Sequence, residues 1–121
     1  EPEARDTSIV WTRVDLERYL AKWKIRDGGA SVEISDYFCE FAAANPTVFL
    51  EVMGENRGQF DGWLHDLGDL SFVDFGGCMN RECLKEVMLK SLGAAHSKGE
   101  GERIRLLLLG KLRHIVVRKV D

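Results

Sequence analysis

The sequence has no long hydrophobic run. Its longest uninterrupted apolar stretches contain four residues, as at positions 106–109, in a chain of 121 residues. A transmembrane helix needs about 20 consecutive apolar residues, so we expect no membrane span. A basic start followed by an apolar segment, typical of a signal peptide, is missing as well. The chain begins Glu1-Pro2-Glu3, as it would after removal of a signal peptide or a tag, and we slightly favour a processed periplasmic or secreted protein.

Cysteine is scarce, and its odd count leaves two interpretations open. The three cysteines suit either reduced thiols or one disulfide with a buried thiol. Cys78 and Cys83 are the candidate pair, because the chain is expected to turn into a helix between them. Cys39 lies in an apolar helical segment and is expected to be an inert buried thiol.

Histidine is equally scarce, which limits the chemistry available to the chain. Nucleophilic catalysis needs a serine or cysteine held near a base, and the three histidines are isolated in the sequence. His65, Asp66 and Asp69 are too few for a structural metal site, which usually has four ligands. We therefore expect no metal and no cofactor. These three residues, with Asp74, form the alternative acidic site of a small enzyme.

The charge of the chain is unevenly distributed. The net charge is −3, but residues 98–121 carry +4 and the remainder carries −7. The simplest interpretation is two parts that complement each other across the core, and a basic strip for an anionic partner is the alternative. The basic residues alternate with apolar side chains rather than aromatic ones, so nucleic acid is not an expected partner.

The pair Asn45-Pro46 predicts a tight corner between two helices. Apolar residues recur at helical spacing on both sides of it, with Phe41 before and Phe49 after. An asparagine can cap a helix, and proline is already set for the first helical position. The sequence therefore predicts that one helix ends at Ala44 and the next begins at Pro46.

Similar signals predict the other helices. The predicted helix beginnings lie at Thr12 with Asp15, at Ser31 or Ser35, at Asn56 and at Asn80. Two glycine positions are expected to end helices, namely Gly28-Gly29 for the first and Gly68, in a left-handed conformation, for the fourth. The last helix is expected to bury Ile104, Leu107, Leu108, Leu112 and Ile115.

Residues 68–77 lack helical periodicity and are predicted to form the longest loop. Phe72 and Phe75 in this segment either anchor it to the core or line a groove, and we name Phe72, Asp74 and Phe75 as candidate partner-binding residues. Residues 115–117 are β-branched and could leave the last helix to pair with residues 8–10.

These patterns predict one all-α domain over residues 1–121, with a flexible polar tail at 1–8. Five or six short helices are expected in antiparallel hairpins, with HEAT-type or armadillo-type stacking as one form of this arrangement. We expect a non-enzymatic protein-binding or scaffold domain that binds protein or peptide in a groove between hairpins. The alternatives are a small enzyme and a structural accessory domain of a larger protein. The sequence leaves the oligomeric state open.

Overall fold

The computed structural model describes residues 11–26, 28–74 and 80–119. Six α-helices lie within these ranges: α1 (Arg13–Lys24), α2 (Gly28–Ala44), α3 (Pro46–Glu55), α4 (Arg57–Ser71), α5 (Arg81–Ala94) and α6 (Glu100–His114). Two short strands, β1 (Val73–Asp74) and β2 (Arg118–Lys119), pair in parallel. The described part of the chain is therefore all-α, as predicted, with one minimal sheet. The predicted flexible tail falls on residues outside these ranges.

Capping side chains begin three of the helices at the predicted positions. The Thr12 hydroxyl accepts a hydrogen bond from the backbone N–H of Asp15 at the start of α1. At the corner between α2 and α3, the Asn45 side chain accepts from the N–H of Val48, and Pro46 follows as the first helical residue. Asn80 caps α5 in the same way. These predictions are confirmed, because each cap satisfies an N–H group that the helix itself leaves unpaired.

Three predicted helix boundaries are wrong. Gly28-Gly29 does not end α1, which stops at Lys24, but forms the first turn of α2. Neither Ser31 nor Ser35 caps α2, which begins at Gly28 and contains both residues. Gly68 does not end α4, which continues to Ser71, and Gly99 (φ 62°) is the only described residue with a positive φ. Gly99 precedes α6 in a backbone region that favours glycine.

The prediction of a loop at residues 68–77 is therefore wrong for its first part. Its first four residues complete α4, and the strand β1 follows at Val73–Asp74. The last turn of α4 is stabilised by Ser71, which is fully buried and whose hydroxyl is hydrogen-bonded to Ser35 and Asp36 of α2. Residues 75–79 lie outside the described ranges.

Helices that are distant in the chain pack on each other. The central helix α2 contacts α1, α3, α4 and α5, while α3 packs extensively on α6. In a solenoid each repeat contacts only its neighbours in the sequence. The contacts among the described residues therefore show a packed six-helix domain and no solenoid or repeat.

The core is rich in aromatic rings around Trp63. This side chain is fully buried, and the rings of Phe38 and Phe49 meet it edge to face, with centroids 5.5 and 5.8 Å away. Such arrangements are favourable because the positive edge of one ring faces the negative face of another.

One side of α6 lies in this core, and the other faces water. Leu108 is fully buried, as predicted, whereas Leu107 is 40% exposed and Leu106 is 58% exposed. The prediction that Leu107 is buried is therefore wrong. The reason is angular, because Ile104, Leu108 and Leu112 already fill the side of α6 that meets its neighbours, and Leu107 lies about 100° away from Leu108.

The segment after α6 forms the sheet with β1. The chain leaves the helix at Ile115, as predicted, and Arg118 then pairs with Val73. The predicted partner of this segment, residues 8–10, lies outside the described ranges. None of the described helices has the length and apolar character required to cross a membrane.

Candidate functional site

The predicted acidic site lies on the outer side of α4. His65 Nδ1 is 2.9 Å from Asp66 Oδ1, whereas Asp69 Oδ1 accepts a hydrogen bond of 2.7 Å from Arg118 Nη2. The His65 and Asp69 side chains are 87% and 81% exposed. Among the described residues, no group of three or more histidine, cysteine or acidic side chains could hold a metal ion. The structure thus brings His65 and Asp66 together, but on an open surface.

The predicted partner-binding residues have different environments. Phe72 is fully buried, so its ring anchors the end of α4 to the core, which is the structural alternative of the two considered. Asp74 belongs to β1, where it is in register with Lys119 of β2. Phe75 lies outside the described residues. Partner binding by Asp74 and Phe75 stays a prediction.

The two cysteines in the described part of the chain have opposite environments. Cys39 is fully buried, as predicted, and burial raises the pKa of its thiol to about 12. A thiol that stays protonated is a poor nucleophile. Cys83 is exposed in the first turn of α5, and Cys78 lies outside the described residues. The disulfide between them stays a prediction.

A buried polar network joins α2, α4 and α5. Arg81 Nη1 donates to Asp36 Oδ1 at 2.6 Å and to the backbone carbonyl of Ser71 at 3.0 Å. The Ser71 hydroxyl donates to Asp36 Oδ1 at 2.8 Å and lies 2.6 Å from the Ser35 hydroxyl. Ser35 in turn accepts a hydrogen bond of 2.9 Å from Trp63 Nε1.

This network is internally satisfied and largely enclosed. Its polar groups are partners for one another, so each buried donor or acceptor is satisfied. The Asp36 and Arg81 side chains are only 18% and 14% exposed, which leaves little access for a substrate. The sequence carries no sign of the network, because its members are up to 46 positions apart and share no motif.

A tyrosine pair borders a hollow of about 430 Å³ between α1 and α2. The rings of Tyr19 and Tyr37 stack with centroids 3.6 Å apart, and Lys22 Nζ lies 4.6 Å from the centre of the Tyr19 ring. Burial raises the pKa of Tyr37 to about 12. Burial, and then the charge of Asp36, raises the pKa of Glu40 in the same hollow. The hollow thus already contains its own cation, Lys22, beside the aromatic rings.

Helices α4 and α6 run side by side in the same direction. Their first turns are joined by Arg57 Nη1 and Glu100 Oε2, 3.1 Å apart. Beyond their last turns, the backbone N–H of Arg118 donates to the carbonyl of Phe72 at 3.1 Å. Direct contact between the two helices is nevertheless sparse. The result is a pair of parallel ridges, each 15 residues long, that is tied at both ends.

The two ridges present different surfaces to water. The α6 face is basic and apolar, and it consists of Arg103, Leu106, Leu107, Gly110, Arg113 and His114. The α4 face is acidic and contains small residues, and it consists of Gly58, Asp61, Gly62, His65 and Asp69. Side-chain positions built at Gly58, Gly62 and Gly110 meet nothing within 4 Å, so both faces are open to solvent at these glycines. Together we call them the α4–α6 surface.

Sequence reasoning missed this surface because it assigned the leucines of α6 to the core. The four consecutive leucines at 106–109 include two exposed and two buried residues, a division that only the packing of α6 decides. The one available signal was the excess of basic residues in the same segment.

Comparison with known proteins gives no further guide to function. Neither the protein-family models, nor the curated proteins, nor the solved structures that were compared with the chain match it.

Proposed function

We propose that this protein is a non-enzymatic protein-binding or scaffold domain that docks another protein on the α4–α6 surface. The observation that carries the proposal is the exposure of Leu106 and Leu107 beside the open position at Gly110. Each buried Å² of apolar surface contributes roughly 25 cal/mol, so a partner that covers these leucines gains affinity without reorganising the core.

The shape of the surface favours a helical partner. Leu106 and Leu107 are exposed on α6, beside the parallel helix α4, and a partner helix can cover such side chains with apolar residues at helical spacing. Gly110 allows a partner backbone to approach α6 closely. HEAT-type and armadillo-type proteins also present paired helices to their partners, and α4 and α6 would present their outer sides in a similar way.

Two further observations support binding rather than catalysis. The buried polar side chains of Asp36, Arg81, Ser71, Ser35 and Trp63 are occupied with one another. The acidic residues of α4 lie in open water rather than around an enclosed cavity. Asp74 of β1 lies three residues after the end of α4 at Ser71, so this sequence-predicted candidate is close in the chain to the same surface.

Site-specific photo-crosslinking in the native cells tests the proposal. A photoreactive residue replaces Leu106 in one variant and Arg18, an exposed residue of α1, in the control variant. We expect one discrete crosslinked protein from position 106 that position 18 does not give. The crosslinked protein, purified, should bind the wild-type chain at least ten times more tightly than the Leu106→Ser variant. Identical crosslinking from both positions would remove the α4–α6 surface as the binding site.

A further inference from the structure

We infer that the partner on the α4–α6 surface is a second copy of this chain, bound in a weak two-fold dimer. In this dimer the α6 face of each copy packs on the α4 face of the other. The inference rests on the proposed function, because it names the partner of the same surface.

Charge decides how two copies can meet. The α6 face carries Arg103, Arg113 and His114, whereas the α4 face carries Asp61 and Asp69. A two-fold axis that runs parallel to the helices places each basic face on an acidic one. An axis perpendicular to the helices would place α6 on α6, where like charges repel. A surface with adjacent acidic and basic ridges is therefore complementary to itself in one orientation.

The positions of the docking residues along the axes of α4 and α6 also match. The ion pair between Arg57 and Glu100 aligns the first turns of α4 and α6, and the parallel pairing of Val73 with Arg118 aligns their ends. Because of this alignment, the positions of Leu106 and Leu107 along the helix axis are within one helical turn of that of Gly62. A rotation about an axis parallel to the helices preserves these positions along the axis, so the two leucines meet the open space at Gly62 of the partner subunit.

The same alignment brings opposite charges together. Along the helix axis, Arg103 lies within one turn of Asp61, and Arg113 lies at the same height as Asp69. Within one copy, Asp61 contacts Arg57, Asp69 contacts Arg118 and Arg103 contacts Glu100. All of these pairs are exposed, and exposed ion pairs contribute little to stability. The carboxylates can therefore gain a second cation from the other copy at little cost.

The size of the surface sets the strength of the dimer. Two adjacent helices of 15 residues cover a patch of roughly 22 Å by 20 Å. A stable complex usually buries about 800 Å² on each partner, and this patch provides less. We therefore expect a dissociation constant in the micromolar range or above and a marked dependence on salt.

Sedimentation velocity of the purified chain over a range of concentrations tests the inference. We expect the mass to rise from that of the 13.7 kDa monomer towards twice that value at low salt, and to fall again at about 0.5 M salt. Leu106→Asp and Arg103→Asp should each weaken the dimer at least tenfold. The double variant Arg103→Asp with Asp61→Arg should restore most of the loss, because the two charges exchange places. Arg18→Asp on α1 is the control and should leave the dimer unchanged.

Three results would overturn the inference. The first is a monomer at every concentration. The second is a dimer whose affinity is unchanged by Leu106→Asp and by Arg103→Asp. The third is a double variant, Arg103→Asp with Asp61→Arg, that dimerises no better than Arg103→Asp alone. Circular dichroism confirms that each variant is folded, which is expected because the substituted side chains are exposed. If the chain is monomeric but crosslinks to a different protein from position 106, this inference is wrong and the proposed function is retained. If the chain is monomeric and gives no such crosslink, both this inference and the proposed function are wrong.

Discussion

Asp36 of α2 and Arg81 of α5 form an ion pair with little access to water, with Oδ1 and Nη1 2.6 Å apart. It is more buried than the other ion pairs among the described residues, such as the pair between Asp69 and Arg118. Removing one partner of a buried pair leaves a charge without compensation. The two pairs therefore offer a direct comparison of a buried and an exposed interaction.

Asp36→Ala should destabilise the protein by about 3 kcal/mol, because it leaves the Arg81 guanidinium without its carboxylate. Asp69→Ala should cost less than about 1 kcal/mol, because its pair with Arg118 is exposed. Urea denaturation gives both values. Equal losses in the two variants would show that the burial of the Asp36 pair has no energetic consequence.

Leu107 and Leu108 of α6 are neighbours of the same residue type that differ in burial. Leu108→Ala should cost about 2–5 kcal/mol, since a fully buried side chain leaves a cavity. Leu107→Ala should cost less than about 1 kcal/mol, because this side chain is already 40% exposed. Denaturant titration of both variants under the same conditions checks the contrast, and a loss below about 1 kcal/mol for Leu108 would make α6 a peripheral helix.

Asn45 caps α3 and also donates a hydrogen bond of 2.8 Å from its side chain to the carbonyl of Trp11. Asn45→Ala should therefore cost about 1–2 kcal/mol, the upper part of the range for lost caps. Asn56 is the matched control, because its side chain donates to the carbonyl of Val52 at 2.8 Å but does not cap α4. Thermal unfolding should rank Asn45→Ala below Asn56→Ala in stability, and the reverse order would contradict the capping role.

Gly54 marks a close approach of α3 to α6. A side chain built there lies 3.2 Å from Glu100 Cβ and 3.3 Å from the backbone nitrogen of Gly101. Gly54→Ala should therefore destabilise by about 1 kcal/mol, because part of the neighbour is backbone and cannot rotate away. Gly62→Ala on the open side of α4 should stabilise by about 0.4–1 kcal/mol. Chemical denaturation measures both, and a gain in both variants would show that α3 and α6 can separate freely.

Glu40 should make stability depend on pH. Burial, and secondarily the charge of Asp36, raises its pKa in the folded state above that in the unfolded state. Stability from this group is then fully present below the unfolded pKa and is lost as pH rises through the folded pKa. Glu40→Gln should be more stable than the wild type at pH 7 and lose this advantage at about pH 3. An equal advantage at both pH values would point to packing instead of ionisation.

The sequence predicted helix beginnings well because a cap is a local contact. The Asn45 side chain bonds to Val48, three residues away, so the signal lies in a few adjacent letters. Ser35 shows why other positions failed. Its hydroxyl resembles a cap in the sequence, yet it bonds to Ser71 and Trp63, which are 36 and 28 residues away. Tertiary contacts of this length leave no local pattern.

The α4–α6 surface escaped prediction for a related reason. Consecutive leucines read as uniformly apolar, and only the position of α6 against α3 separates buried Leu108 from exposed Leu106. Gly68 was assigned to a helix end on its residue type, whereas the structure keeps it helical because Ser71 is held in the core by Asp36. The residue type gives a position a preferred conformation and environment, and the packing of the helices decides which ones it adopts.

The packing of α3 on α6 also constrains the order of events during synthesis. A ribosome adds roughly 5–20 residues per second, so α6 follows α3 by roughly 2–9 s. During this interval the apolar side of α3, with Leu50 and Met53, lacks its main covering helix. The nascent chain therefore exposes the apolar side of α3 until α6 emerges, and a chaperone that binds apolar segments has a few seconds in which to act.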